Sequence, residues 1–140
     1  HLVLIGKGEL EEVIKKQANQ LGILDKISFL GESSNVNKLI NVFDVGVFPS
    51  LFEGFGIAVL EMQINGLPLV VSDNFPSEIN LTDNIRFLSL DETVKYWCET
   101  ILETKGRDTG AVDKIIAKGY NLSDMVNKLT KTYERIVDKS

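Results

Sequence analysis

Short apolar runs, each broken by glycine and followed by an amphipathic stretch, constrain this chain more than any other feature. Residues 2–5 are wholly apolar and end at Gly6 and Gly8. The period then changes: Leu10, Val13, Ile14, Ala18 and Leu21 recur at helical spacing among Glu, Lys and Gln, and Gly22 stands where a C-terminal cap belongs. The alternation continues with an apolar run over 27–30, a loop over 31–35, a short helix through Leu39, Ile40 and Phe43, and a third run over 45–48. After a loop over 49–56, the pattern predicts a helix over 57–65, stopped by Gly66 and Pro68, a fourth strand over 67–72 and a weaker fifth over 85–90. Strands apolar at every position, separated by helices, predict an α/β fold with a parallel sheet flanked by helices on both faces. Beyond residue 91 the alternation stops, and extra C-terminal helices are predicted over 92–104, 109–118 and 123–137.

The 140 residues amount to one domain, and 44% apolar with 25% charged residues is ordinary globular composition. No apolar run approaches the roughly 20 residues that a membrane span needs, and the opening lacks the basic and apolar regions of a signal peptide. Because the chain starts directly on a strand with no neighbour to set its register, more sequence is expected on the N-terminal side. A net charge of −5, with both signs interspersed, argues against nucleic acid as a partner. Cys98 is the single cysteine, so no internal disulfide can form and a reducing, cytoplasmic compartment is the natural reading. Lying beside Trp97 in a helical pattern, Cys98 reads as core filler, and Tyr96, Trp97, Ile101 and Leu102 as helix packing. His1 is the sole histidine, so the chain holds neither a histidine-based metal cluster nor a Ser-His-Asp arrangement, and no metal is expected.

In an open parallel sheet, ligands bind beyond the carboxyl ends of the strands, where the loops and helix N-termini collect. Four loops share that edge: Gly6-Lys7-Gly8, then 31–34, 50–56 and 73–78. The third is the most informative, because Gly54 and Gly56 bracket a helix start. The backbone N–H groups of Phe55, Gly56 and Ile57 become unpaired donors at the positive end of a helix dipole, an anion site suited to diphosphate. Seven residues separate Glu53 from Glu61, placing one carboxylate in the loop and the other at least a turn inside the helix. A carboxylate accepts two hydrogen bonds side by side, which matches a vicinal diol such as that of a ribose. On spacing alone, the same residues also describe an ordinary strand-to-helix turn with glutamates suited to the dipole.

Residues 49–73 resemble the signature of the family 4 retaining glycosyltransferases of the GT-B fold, in which two glutamates stand seven residues apart. Here the motif reads Glu53-Gly54-Phe55-Gly56-Ile57-Ala58-Val59-Leu60-Glu61, followed by Gly66-Leu67-Pro68-Leu69-Val70-Val71-Ser72. The flanks agree in the same order: residues 3–8, residues 27–31, Phe43-Asp44-Val45, and Tyr120-Asn121-Leu122-Ser123 leading to Tyr133. The resemblance implies a Rossmann-like fold and the C-terminal, nucleotide-sugar-binding half of a GT-B enzyme, working with an acceptor-binding domain on its N-terminal side. Carried over, it gives Glu53 the donor sugar and the catalytic role, Glu61 the ribose, and Gly54, Phe55, Gly56 and Ile57 the sugar and phosphate oxygens. Leu30, Gly31, Glu32 and Ser33 would meet the base, largely through main-chain atoms. It implies no cofactor beyond the nucleotide sugar, which is a substrate. Membrane association would come only through the N-terminal part.

Departures accompany the matches. The family commonly places a Gly-Gly and a Pro-Glu pair after the fourth strand, where this chain reads Asp73-Asn74-Phe75-Pro76-Ser77-Glu78. The Arg and Lys with which the family neutralises the diphosphate belong to a region before His1. A nucleotide diphosphate brings about two negative charges to a domain of net charge −5, and Lys7 is the only basic residue of the glycine loops. Helix-end amides add only about 0.3 to 1 kcal/mol per charge, so weak donor binding and no turnover are expected of this stretch alone. Epimerases and phosphorylases share the fold but not the glutamate spacing. The competing reading is a non-catalytic nucleotide-sugar-binding or scaffold module, which the presence of both glutamates disfavours.

Overall fold

The computed structural model describes residues 1–137. The chain forms two compact units, His1–Leu39 and a second beginning at Ile40, each with its own parallel sheet.

The first unit runs β1 (Leu2–Leu4), α1 (Glu11–Gln20), a 3₁₀ turn (Leu24–Lys26), β2 (Ile27–Phe29) and α2 (Val36–Leu39). β1 and β2 pair in parallel, Leu2 opposite Ile27 and Leu4 opposite Phe29, with α1 as the crossover. Glu11 and Glu12 occupy the first turn of α1, where the helix dipole favours them, and the helix ends ahead of Gly22 at φ 67°. Lys15 joins Glu11 at 2.7 Å and Glu12 at 2.8 Å, and its ammonium stands 5.5 Å over the Phe29 ring. The bonds to Glu11 and Glu12 hold its pKa well above the ordinary lysine value. Of the apolar residues predicted to mark the inner face of α1, only Ala18 is buried; Leu10, Val13, Ile14 and Leu21 stay exposed. Three-residue strands extend about 10 Å against about 15 Å for a ten-residue helix, so the sheet covers only part of it.

The second unit contains β3 (Gly46–Phe48), α3 (Ile57–Ile64), β4 (Leu69–Ser72), β5 (Ile85–Leu88), α4 (Val94–Glu103), α5 (Ala111–Ala117) and α6 (Leu122–Val137). Its strands are parallel in the order β3-β4-β5. β4 is central and buried at all four positions, which is why its sequence carries no polar alternation. Val59 and Met62 of α3 pack with Leu67, Leu69, Val70, Val71, Ile79 and Ile115 among the buried core. Gly46 lets α3 approach, since a Cβ there would lie 2.5 Å from Leu69 Cδ2 and 2.8 Å from Met62 Sδ.

Around residues 36–43 the structure replaces one short helix with α2 and a separate 3₁₀ turn, Ile40–Val42. Arg107 takes the carbonyls there, donating to Ile40 O at 2.7 Å and Phe43 O at 2.8 Å. The same guanidinium donates to the backbone carbonyl and side-chain oxygen of Asn65, joining the turn to the end of α3.

α4 begins at a Thr93 cap that accepts from Tyr96 N, and its inner face carries Trp97, Thr100, Ile101 and Thr104. Trp97 Nε1 donates to Ser89 O at 3.0 Å. Cys98 is exposed, contrary to the expectation of core filler, because it lies one residue, or about 100° of helix rotation, off that face. Tyr96 and Leu102 are exposed for the same reason, so only half of the predicted packing set packs. α6 is amphipathic, and its apolar positions Leu122, Met125, Val126, Leu129, Tyr133 and Ile136 are all exposed. Among the described residues no helix is long and apolar enough to cross a membrane.

Candidate functional site

In each unit the parallel strands deliver their following loops to one edge. In the first, Gly6 N donates to Gly31 O at 2.7 Å and Leu30 N to Leu4 O at 2.9 Å, fastening the segment Leu30, Gly31, Glu32, Ser33 to the glycine turn after β1. Gly31 adopts φ 61°, and Ser33 Oγ accepts from Asn35 N. Lys7, the one cation of the glycine loops, faces Glu32 at 3.5 Å. Both side chains are largely exposed, so the pair is weak and open to exchange. Among the described residues, the N–H groups of Gly31, Glu32 and Ser33 have no acceptor, which leaves main-chain donors for a ligand. His1 pairs with Ser28 Oγ at 2.9 Å.

In the second unit, the loop 49–56 leads from β3 to α3. Gly56 caps the helix in a left-handed conformation, φ 83° and ψ 60°, with no side chain donating or accepting at the cap. Leu60 N closes the first helical bond on Gly56 O at 3.0 Å. Among the described residues the N–H groups of Phe55, Gly56 and Ile57 donate to nothing, and they meet the positive end of the helix dipole. Glu53 is half-buried in the loop, and Glu61 is exposed on α3, one turn or about 6 Å beyond Ile57. Glu61 shares the outer face of α3 with Ile57 and Ile64, while Val59, Met62 and Gln63 point inward. Neither carboxylate has a hydrogen bond or ion pair among the described residues. The arrangement is a set of free amide donors at a helix start with two uncommitted carboxylates on the same loop and helix, groups whose chemistry suits an anion and hydroxyl donors respectively.

Residues whose part was not legible in the sequence hold this loop. Ser72 Oγ donates to Ser50 O at 2.6 Å, and Asn74 Nδ2 donates to Ser50 O at 3.2 Å and Leu51 O at 3.0 Å. Phe75 is buried against Gly56 and meets Phe48 edge to face, with ring centroids 6.3 Å apart. Phe55 stacks on Tyr120, centroids 6.0 Å apart and planes 18° from parallel. The polar Asp73-Asn74 directly after a buried strand was the one available signal for the Asn74 clamp. Glu78 sits exposed in the 3₁₀ turn Ser77–Ile79, beside Ser77 Oγ. Among the described residues, no group of His, Cys, Asp and Glu side chains could hold a metal ion.

Residues 1–95 match the family described as Glycosyl transferases group 1. The chain belongs to that family. Over 99% of its length it is 33% identical to the putative glycosyltransferase EpsF of Bacillus subtilis (strain 168). It is 27% identical, over 98% of its length, to the UDP-Gal:alpha-D-GlcNAc-diphosphoundecaprenol alpha-1,3-galactosyltransferase of Escherichia coli. The chain spans 37% and 38% of those two relatives. The lipopolysaccharide outer core galactosyltransferase WaaB, in its apo form, superposes on 96% of the chain with a TM-score of 0.77 at 18% identity, the chain covering 41% of it. The fold of this group 1 glycosyltransferase chain is therefore Rossmann-like α/β, as in the GT-B enzymes.

Proposed function

We propose that this chain is the nucleotide-sugar-binding part of a retaining glycosyltransferase of the hexosyl-transferring kind, which builds a cell-surface polysaccharide or glycolipid on the cytoplasmic side of the membrane. The observation that carries the reading is the trio of unpaired amides at Phe55, Gly56 and Ile57, flanked by the uncommitted carboxylates of Glu53 and Glu61. Its relatives, a diphosphoundecaprenol-linked galactosyltransferase among them, support the same class of acceptor.

In this reading the diphosphate of the donor lies on the amides, which hold its charge as the sugar departs and need no reorientation at that moment. Glu61 takes the ribose diol, and Glu53 holds the sugar hydroxyls so that the anomeric carbon stays aligned. The retaining family substitutes on one face, the departing phosphate accepting the proton of the acceptor hydroxyl, so no covalent nucleophile is asked of this chain. Leu30, Gly31, Glu32 and Ser33 meet the base through main-chain atoms. The acceptor is held by a separate domain on the N-terminal side, and the cations that complete the neutralisation of the diphosphate come from the part of this same domain that lies before His1, in keeping with relatives more than twice as long. No metal enters the scheme.

Titration with UDP, GDP and ADP and their hexose derivatives, followed by amide NMR shifts, tests it. Shifts at residues 30–33 and 55–61 that vanish in Glu61→Ala are expected. Catalysis by the whole protein with Glu61→Ala at wild-type donor KM would overturn the reading.

A further inference from the structure

The family match ends at residue 95, yet Tyr120 reaches the proposed donor loop. We infer that Tyr120 is a positioning residue for the donor: its ring, stacked on Phe55, sets the direction of the Phe55, Gly56 and Ile57 amides. The inference rests on the proposed donor site and deepens it.

The amides can serve an anion only if the left-handed turn at Gly56 is held, and two residues on either side of that turn hold it. Phe75 closes on Gly56 from the core, with Cε1 2.6 Å from where a Cβ would stand. Phe55 is next in the chain and is half-buried, with Tyr120 as its aromatic partner. The two contacts act on adjacent peptide planes, so together they leave the Phe55–Gly56 and Gly56–Ile57 amides little freedom to rotate away.

Tyr120 is itself firmly seated. Its N–H donates to Ile115 O at 3.2 Å as part of the α5 terminus. The next residue, Asn121, caps α6 by accepting from Asp124 N at 2.9 Å. The ring therefore stands between two helix ends on a short connection and transmits their rigidity to Phe55. The hydroxyl makes no hydrogen bond among the described residues, so the ring face is the part that acts.

The test uses the whole glycosyltransferase that carries this chain, with steady-state kinetics in donor and acceptor. Tyr120→Leu is expected to raise donor KM by about three- to tenfold, the fold-change an aromatic pair is worth, with acceptor KM unchanged. Tyr120→Phe is expected to stay within about twofold of wild type. Phe55→Leu is expected to show the same donor effect, and the double variant no more than either single one, because both remove one contact. A loss of stability with donor KM unchanged in Tyr120→Leu, or additive effects in the double variant, would sink the inference. Glu61→Ala run alongside separates the two readings: if it leaves donor KM unchanged, the donor site itself is misplaced; if it raises donor KM while Tyr120→Leu does not, only the role of Tyr120 fails.

Discussion

The ring of Phe75 leaves no room for a side chain on Gly56. A Cβ there would stand 2.6 Å from Phe75 Cε1 and 3.0 Å from Cδ1, at a residue whose φ of 83° already disfavours anything but glycine. Gly56→Ala is therefore expected to lose about 2 to 5 kcal/mol, combining left-handed strain with overpacking of the core. Urea denaturation measures the loss. On the proposed function, donor affinity should fall further than in any variant that keeps the turn.

Asn74 lies just beyond β4, and its side chain holds Ser50 O and Leu51 O. Asn74→Ala is expected to cost about 0.5 to 1.5 kcal/mol, the net worth of a hydrogen bond, since the freed carbonyls lie near water. On the proposed function, the loosened loop should raise donor KM by about threefold and leave acceptor KM alone.

Gln63 is buried on the inner face of α3 and fully engaged. Its Nε2 donates to Ile79 O at 2.8 Å, and its Oε1 accepts from Leu81 N, Thr82 N and Thr82 Oγ1 at 3.2, 3.1 and 3.1 Å. Gln63→Leu fills the same space but strands those groups in the interior. A loss of about 3 to 5 kcal/mol in denaturant unfolding is expected, against little change for Ile64→Gln on the exposed face.

Lys114 bridges Asp83 at 2.7 Å and Asp108 at 2.8 Å, tying α5 to the turn before β5 and to the segment that leads into α5. The hydrogen bond from Lys114 holds the Asp108 carboxyl below its ordinary value of 3.8, and the bonds to Asp108 and Asp83 hold the ammonium above 10.5. The acid limb follows from the first shift: the contribution of Asp108 is complete above pH 3.8 and is lost as pH falls through the lower, folded-state value. The alkaline limb follows from the second, with the contribution of Lys114 complete below pH 10.5 and lost as pH rises through the raised value. Lys114→Met should flatten both limbs of a stability profile measured in urea. High salt should shrink the difference between variant and wild type, because Lys114 and Asp83 are solvent-exposed.

How much was legible differs between backbone and contacts. The five strands were all predicted, though the structure trims most by a residue or two, because hydrogen-bonded pairing ends before the apolar run does. The helix after loop 49–56 was legible from Gly54, Gly56 and Gly66, which punctuate it, and the Glu53 and Glu61 spacing placed one carboxylate in the loop and one within α3, as found. Cys98 was misread because its neighbour Trp97 faces inward, and a helix turns adjacent residues to different sides. The clamps on the loop 49–56 left no signal in the sequence beyond the polar Asp73-Asn74 after β4. Ser72 and Asn74 act on Ser50 from 22 and 24 positions away, and Arg107 acts on Ile40 from 67.

By itself the sequence determined the order of strands and helices, the glycines that turn between them, and the pair of glutamates around a helix start. These are local properties, written in a period of two or 3.6 residues or in a single backbone conformation, and they need no knowledge of what lies across the fold. Only the tertiary structure decided that Phe75 seals Gly56, that Tyr120 lies on Phe55, and that Gln63 satisfies the turn beyond β4. Those contacts depend on where the packing of α3, α5 and the central strand brings distant residues, and any aromatic or amide in the sequence looks alike until packing chooses its neighbour.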